Sequence, residues 1–343
     1  MVRPPRGRKG IIMIRYWKRD AAALAAVDAP GRDVWVDVRG VTREDLDILE
    51  KDYGVLPEHL QDMLDVDERS RIEKEDSYTM LILRLPIYDA RYEVIYFTVP
   101  VGVILFKDRV VTVCASDCEV LQELSSGKVR DLSPANKSAF VLKLMGRAAI
   151  VYLRYLKDLN RRTASIETEL QRSVKNNELI KLLAIEKSLV FFTTSLRSDE
   201  MVLEKLQKGV AVRFKDDETE LLEDVATDFR QAIEMSNIHS DILSGMMDAF
   251  ASVISNNLNI VMKRLTIVSI VLMIPTFVVS VFGMNVPLPA ALTGSPMAFV
   301  WIMSGSGLSA AVGALLLRDR RPRKRKALLA PAAGALVLPR DRN

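Results

Sequence analysis

The chain has 343 residues, of which 27% are charged, with a net charge of +4 and only two cysteines and two histidines. That length and charge suit a large folded core over most of the chain. Cys114 and Cys118, with His59 and His239, cannot supply a zinc cluster and read as reduced thiols beside isolated histidines. No phosphate-binding G-x-x-x-x-G-K-[ST] segment and no nucleophile with a base at motif spacing is present, so the chain does not read as an enzyme and calls for no organic cofactor.

Taken in order, residues 1–10 form a basic tail: Arg3, Arg6, Arg8 and Lys9 lead only into a short apolar run, Ile11 to Ile14, without the cleavage-type segment of a signal peptide. Residues 11–132 read as a mixed α and β domain. Strands are expected at Ile11 to Trp17, Val34 to Val38, Tyr78 to Leu85, Val94 to Phe106 and Val110 to Cys114, where β-branched and apolar residues run together. Thr42, followed by Glu44 and Asp45, opens a helix through Leu49 and Lys51; Pro57 opens another. The sheet is expected to end near Asp117.

After Ser133-Pro134 the character changes. Proline almost disappears, glycine becomes rare and apolar residues recur at helical spacing, so residues 133–264 form a long-helix region. One helix is predicted from about Pro134 to Lys175 and another from Asn176-Asn177 to Gly209; a last one begins near Asp217 with no breaker before the membrane. Unbroken as far as Asn285, it would hold about 69 residues over roughly 100 Å, and such a rod needs copies of itself or its neighbours to pack against.

Two segments are uncharged: LTIVSIVLMIPTFVVSVF from Leu265 to Phe282 and PMAFVWIMSGSGLSAAVGALLL from Pro296 to Leu317. At about 18 and 22 residues they reach roughly 27 and 33 Å, enough for a bilayer core of about 30 Å. Buried helices of this length in a soluble domain usually show a polar face with charge, which both lack. Transmembrane helices are therefore expected at 265–285 and 296–317. Lys263 and Arg264 precede the first, and Arg318, Arg320, Arg321, Arg323, Lys324, Arg325 and Lys326 follow the second, with no basic residue between the two. The positive-inside rule then puts both termini in the cytoplasm of a multi-pass cell-membrane protein, the 286–295 loop outside, and a basic cytoplasmic tail at 318–343. A basic run beside a membrane matches anionic lipid headgroups better than nucleic acid.

In the last long helix, steps of alternating three and four residues select Asn259, Met262, Thr266, Ser269, Met273, Thr276, Ser280 and Gly283. Almost every polar or small residue of the first span lies on that stripe, and the other positions are Leu, Ile, Val and Phe, with Pro275 the main exception. Around a symmetry axis, identical stripes would line a water-filled path; the bland alternative is that the small residues mediate helix packing. Backwards the stripe reads Ser255, Ser252, Asp248, Gly245, Asp241, Ile238, Glu234, Gln231, Thr227 and Asp224, so carboxylates collect before the membrane, where they serve equally as a cation-concentrating mouth or as the polar face of an amphipathic helix. No carboxylate lies between Leu265 and Ser295. A neutral polar path suits a cation that keeps its water, as Mg²⁺ does, while Zn²⁺ or Cu²⁺ selection would call for His or Cys. Met262, Leu265 and Met273 would form apolar collars able to dewet and close the path.

The first span closes on Gly283-Met284-Asn285, in the stretch TFVVSVFGMNVP from Thr276 to Pro287. With the approach SNNLNIVMKRLTIVSIVLMIPTFVV from Ser255 and the segment from Trp35 to Pro86, it resembles the CorA magnesium channels over nearly the whole chain to about Arg325. The resemblance implies a homopentamer with a funnel-shaped cytoplasmic domain of α+β class, very long helices, pore helices around the fivefold axis and the second span outside them. It implies that Gly283, Met284 and Asn285 form a selectivity ring holding hydrated Mg²⁺ chiefly through the Asn285 side chain and the Gly283 carbonyl. Asn259 and Thr276 match inner polar rings; Met262, Leu265 and Met273 match the hydrophobic gate. Regulatory Mg²⁺ sites between neighbouring chains would fall at Asp89 and Asp224.

Many relatives carry acidic residues after the tripeptide, whereas this loop reads VPLPAALTGS, which implies weaker electrostatic capture at the outer mouth. The function expected is passive influx of hydrated Mg²⁺ gated by intracellular Mg²⁺. The alternatives are a relative moving Co²⁺, Ni²⁺ or Zn²⁺, including a ZntB-like branch, and a membrane-anchored scaffold.

Overall fold

The computed structural model describes residues 14–20, 23–172, 176–209, 214–284 and 297–317. The tail 1–10, Ile11 to Met13, Asn285, the 286–295 loop, Pro296 and the 318–343 tail of the sequence reading lie outside them. The chain divides into two units, Met1–Ala251 and Ser252–Asn343.

The first unit is built on a seven-stranded sheet in the order β2-β1-β3-β7-β6-β5-β4. Its strands are β1 (Ile14–Asp20), β2 (Ala23–Val27), β3 (Val34–Arg39), β4 (Arg71–Lys74), β5 (Tyr78–Tyr88), β6 (Tyr96–Phe106) and β7 (Arg109–Cys114). Among the described residues only β3 and β7 pair in parallel. The central strands are apolar at consecutive positions because both faces are covered, which is what the runs around Val36, Ile82 and Val103 encode.

On one face Val34, Val36, Val38, Met80, Ile82, Ile104, Val111 and Val113 pack with Leu49, Leu60 and Met63 of helices α1 (Arg43–Lys51) and α2 (Pro57–Leu64). Thr42 starts α1 with a capping box: its side chain accepts from the Asp45 amide while the Asp45 carboxylate accepts from the Thr42 amide at 2.8 Å. Met63 sits so close to β6 that a Cβ at Gly102 would lie 2.2 Å from its sulfur, which fixes glycine there. The other face, with Trp35, Leu81, Leu83, Leu85, Val101 and Val103, packs on α3 (Glu119–Ser125), α4 (Lys137–Arg172) and α5 (Asn176–Gln207). The indole of Trp35 is fully buried and donates to the Thr112 hydroxyl at 2.9 Å.

Asp199 of α5 ties helix to sheet. β4 pairs only with Thr79 to Ile82, so the edge of β5 is open beyond it; there the Arg84 amide donates to Asp199 Oδ1 at 2.9 Å, and the Ser70 hydroxyl donates to the same oxygen at 2.6 Å. The Arg84 guanidinium turns to the Val66 and Glu68 carbonyls and to Thr98 and Ser195. Burial pushes the Asp199 carboxyl up to about 7, against the opposing pull of the Ser70 and Arg84 amide hydrogen bonds.

Three elements depart from the sequence reading. Ile11 to Met13 of the expected first strand lie outside the described residues; its described part runs from Ile14 through Lys18, Arg19 and Asp20 and pairs with β2, whose Ala23-Leu-Ala-Ala-Val27 gives no strand signal alone but gains it by pairing Tyr16 with Val27 and Arg19 with Leu24. β4, the charged Arg-Ile-Glu-Lys, is an edge strand. Past the expected end of the sheet, Cys118 begins α3, whose Val120, Leu121 and Leu124 join the core. The long helices fall within a few residues of expectation, the last being α6 (Asp216–Phe282).

The second unit contains α6 from Ser252 onward and α7 (Ala298–Leu317), both long and apolar enough to cross a membrane. In the membrane part of α6 the half-buried positions are Ile267, Val271, Ile274, Pro275, Val278, Val281 and Phe282, one face of the helix. That face meets α7: Ile274 Cδ1 would lie 3.0 Å from a Cβ at Gly313, and the Ser306 hydroxyl donates to the Pro275 carbonyl at 3.3 Å.

A polar seam on the membrane helix

At 100° per residue, the mean direction of Asn259, Met262, Thr266, Ser269, Met273, Thr276, Ser280 and Gly283 lies about 160° from the face that packs on α7. All eight are exposed in the single chain, Met273 by 66% and Met262 by 54%. Leu265, next to the seam, is 59% exposed. Thr266, Ser269 and Thr276 each donate to the carbonyl one turn earlier, those of Met262, Leu265 and Leu272, at 2.9, 2.9 and 2.8 Å. With their protons so used, the hydroxyl oxygens keep lone pairs directed outward, so the seam offers acceptors. Acceptors serve the waters around a cation, whose hydrogens point away from the metal.

The helix ends where the seam ends. Phe282 is the last helical residue, and the Gly283 amide bonds back to the Val279 and Ser280 carbonyls at 3.1 and 3.2 Å. The last carbonyls of a helix lack intrahelical donors and carry its negative dipole end, so Gly283 sits where a cation is favoured. Met284 is 57% exposed there.

The two aspartates expected to regulate lie in the first unit. Asp89 follows β5 and is held by Arg91, Nε to Oδ1 at 2.9 Å and a terminal nitrogen to Oδ2 at 2.5 Å, which keeps its carboxyl below the usual range. No sequence pattern announces that clamp. Asp224 is exposed on α6, one turn before Asp228, whose own carboxyl is pushed up first by burial and then by the Asp224 charge. Among the described residues no group of three or more His, Cys, Asp or Glu side chains within the chain could hold a metal.

A seam of acceptors on the side of α6 turned away from α7, in a chain with two helices long and apolar enough to cross a membrane, is the arrangement of a membrane transporter. The profile described as CorA-like Mg2+ transporter protein matches residues 32–321, and the chain belongs to that family. It is 25% identical over 278 residues to the cobalt/magnesium transport protein CorA of Methanocaldococcus jannaschii, covering 80% of this chain and 86% of that one. The cobalt/magnesium transport protein CorA of Thermotoga maritima is 22% identical over 264 residues, covering 73% and 72%. The complete structure of the CorA magnesium transporter from Methanocaldococcus jannaschii matches with a TM-score of 0.75 at 23% identity, over 90% of this chain and 98% of that one, so the fold is shared across both units' sequences.

Proposed function

We propose that the protein is a homopentameric channel of the cell membrane that passes hydrated Mg²⁺ inward, with both termini cytoplasmic, and that intracellular Mg²⁺ closes it. The observation that carries the reading is the seam's direction. If α7 faces lipid and the opposite side of α6 faces a shared axis, every chain contributes Asn259, Thr266, Ser269, Thr276 and Ser280 as polar rings, with Met262, Leu265 and Met273 as apolar collars between them. Gly283, Met284 and Asn285 close the outer end. Passive influx needs no coupling chemistry, because the membrane potential contributes about 2.3 kcal/mol per charge per 100 mV.

Asp89 and Asp224 are assigned to regulation between neighbouring chains. Mg²⁺ bridging them would offset the repulsion of facing carboxylates and favour a closed symmetric state; its loss would let the chains separate. Arg91 must release Asp89 or share it for that bridge to form. Asp89→Lys with Asp224→Lys should therefore abolish Mg²⁺-dependent closure in a flux assay, and closure that persists unchanged rejects the regulatory assignment.

The pore reading is tested by Mg²⁺ flux into liposomes: Asn285→Ala should lose selective flux, whereas unchanged flux would leave only a membrane-anchored scaffold. Co²⁺ is a second cargo worth weighing, because both curated relatives are named for cobalt as well as magnesium. Uptake of Mg²⁺ against Co²⁺, Ni²⁺ and Zn²⁺ in competition separates these metals.

A further inference from the structure

Along α4 of the first unit runs an open groove of about 670 Å³ that no part of the transport reading uses. Its walls carry an unequal charge balance. Asp158 is already engaged by the Tyr96 hydroxyl and by Arg162 Nε, and Glu119 by the Tyr155 hydroxyl and Arg154. The guanidinium of Arg162 lies 5.8 Å from the Tyr96 ring centre and that of Arg154 5.8 Å from the Tyr155 ring centre, so both are held as planar forks against a tyrosine floor. Lys157 and Arg161 also line the groove, are exposed, and have no hydrogen bond or ion pair among the described residues. Both acids are therefore internally matched; Arg161 adds its charge near Asp158 without bonding to it, and the groove carries two more cations than acids.

The spacing 154, 157, 158, 161 and 162 places all these charges on one face of α4. The same face begins with an apolar end, Ile150, 44% exposed, and the half-buried Leu153. About 16 Å of helix separates Ile150 from Arg161. A ligand matching this groove is long, multiply anionic at one end and flat and apolar at the other, and the volume suits a small molecule.

We propose that the groove binds a nucleoside polyphosphate, its phosphates on Lys157, Arg161 and the outer N–H groups of Arg162, and its base against Ile150 and Leu153. The proposal is independent of the pore and concerns a site that transport does not require. Because Lys157 and Arg161 make no internal bonds, replacing them leaves the fold intact.

Calorimetric titration of the purified full chain with ATP, in chelator without Mg²⁺, tests it. Saturable binding is expected, weakened about tenfold per charge removed in Lys157→Gln and Arg161→Gln, and unaltered in Arg43→Gln with Lys208→Gln, two exposed cations outside the groove. Inorganic triphosphate should bind about tenfold or more weakly than ATP. Equal affinity for triphosphate, binding that survives the double substitution Lys157→Gln with Arg161→Gln, an equal loss in the Arg43 and Lys208 control, or no binding at all would each overturn the proposal. Thermal unfolding of each variant establishes that any loss of binding is not a loss of fold.

Discussion

The sheet of the first unit and the helix pair of the second obey opposite rules of burial. In the sheet, Trp35, Leu81, Val103 and Val111 are wholly inside, and polar groups that go in beside them find partners there: Trp35 with Thr112, and Asp199 with Ser70 and the Arg84 amide. In the second unit the most apolar 18-residue window of α6 has no buried residue, and Leu272, Phe277 and Leu316 are 63%, 69% and 80% exposed. A lone chain leaves so much apolar surface open only when another apolar phase or further copies cover it. One region is complete as a single chain; the other is a component awaiting its surroundings.

Substitutions at matched positions sharpen that contrast. Trp35→Ala should destabilise the first unit by about 3–5 kcal/mol in denaturant titration, whereas Phe277→Ala in single chains dispersed in detergent should stay within about 0.5 kcal/mol, since that side chain is 69% exposed within the chain. A large loss at Phe277 would mean that this surface is already packed, and the contrast would fail.

Asp199 gives the first unit a pH signature. Its folded pKa of about 7 lies above the unfolded value of about 3.9, so the stabilising proton is fully held below the unfolded value and is lost as pH rises through about 7. Stability should fall by roughly 4 kcal/mol between about pH 4 and pH 8 from this group. Asp199→Asn keeps an oxygen for Ser70 and Arg84 and should flatten that part of the profile; an unchanged slope would assign the dependence to other groups.

Within the second unit the α6–α7 contact is close at one point, so Gly313→Leu should cost about 1–3 kcal/mol through collision with Ile274, read as a lower midpoint of detergent-driven unfolding. The smallest effect is expected at Asp89→Asn. It weakens an exposed pair with Arg91 and should change stability by no more than about 1 kcal/mol, so any effect on Mg²⁺-dependent flux would be separable from folding.

Much of this architecture is legible in the sequence. The polar seam was visible because the residues around it are so uniformly apolar, and its angular separation from the α7 face follows the same period. The central strands announced themselves through β-branched runs. What escaped reading was whatever depended on a distant partner. β2 is an alanine-rich segment that extends only because β1 pairs with it, β4 is charged and lies at an edge, and α3 is short. Of the site, the Arg91 clamp on Asp89 and the bond from Ser306 to Pro275 join residues whose types are ordinary and whose meeting is set by the fold.

Pro275 has no amide hydrogen, so the rung that would reach back to Val271 is missing halfway along the membrane segment of α6, next to Met273 and Thr276 on the seam. The carbonyl of that same proline is grasped by Ser306 on α7. The weakest joint of α6 is thereby tied to a hydroxyl on α7, and anything that shifts α7 acts on that joint from the side of the helix opposite the polar seam.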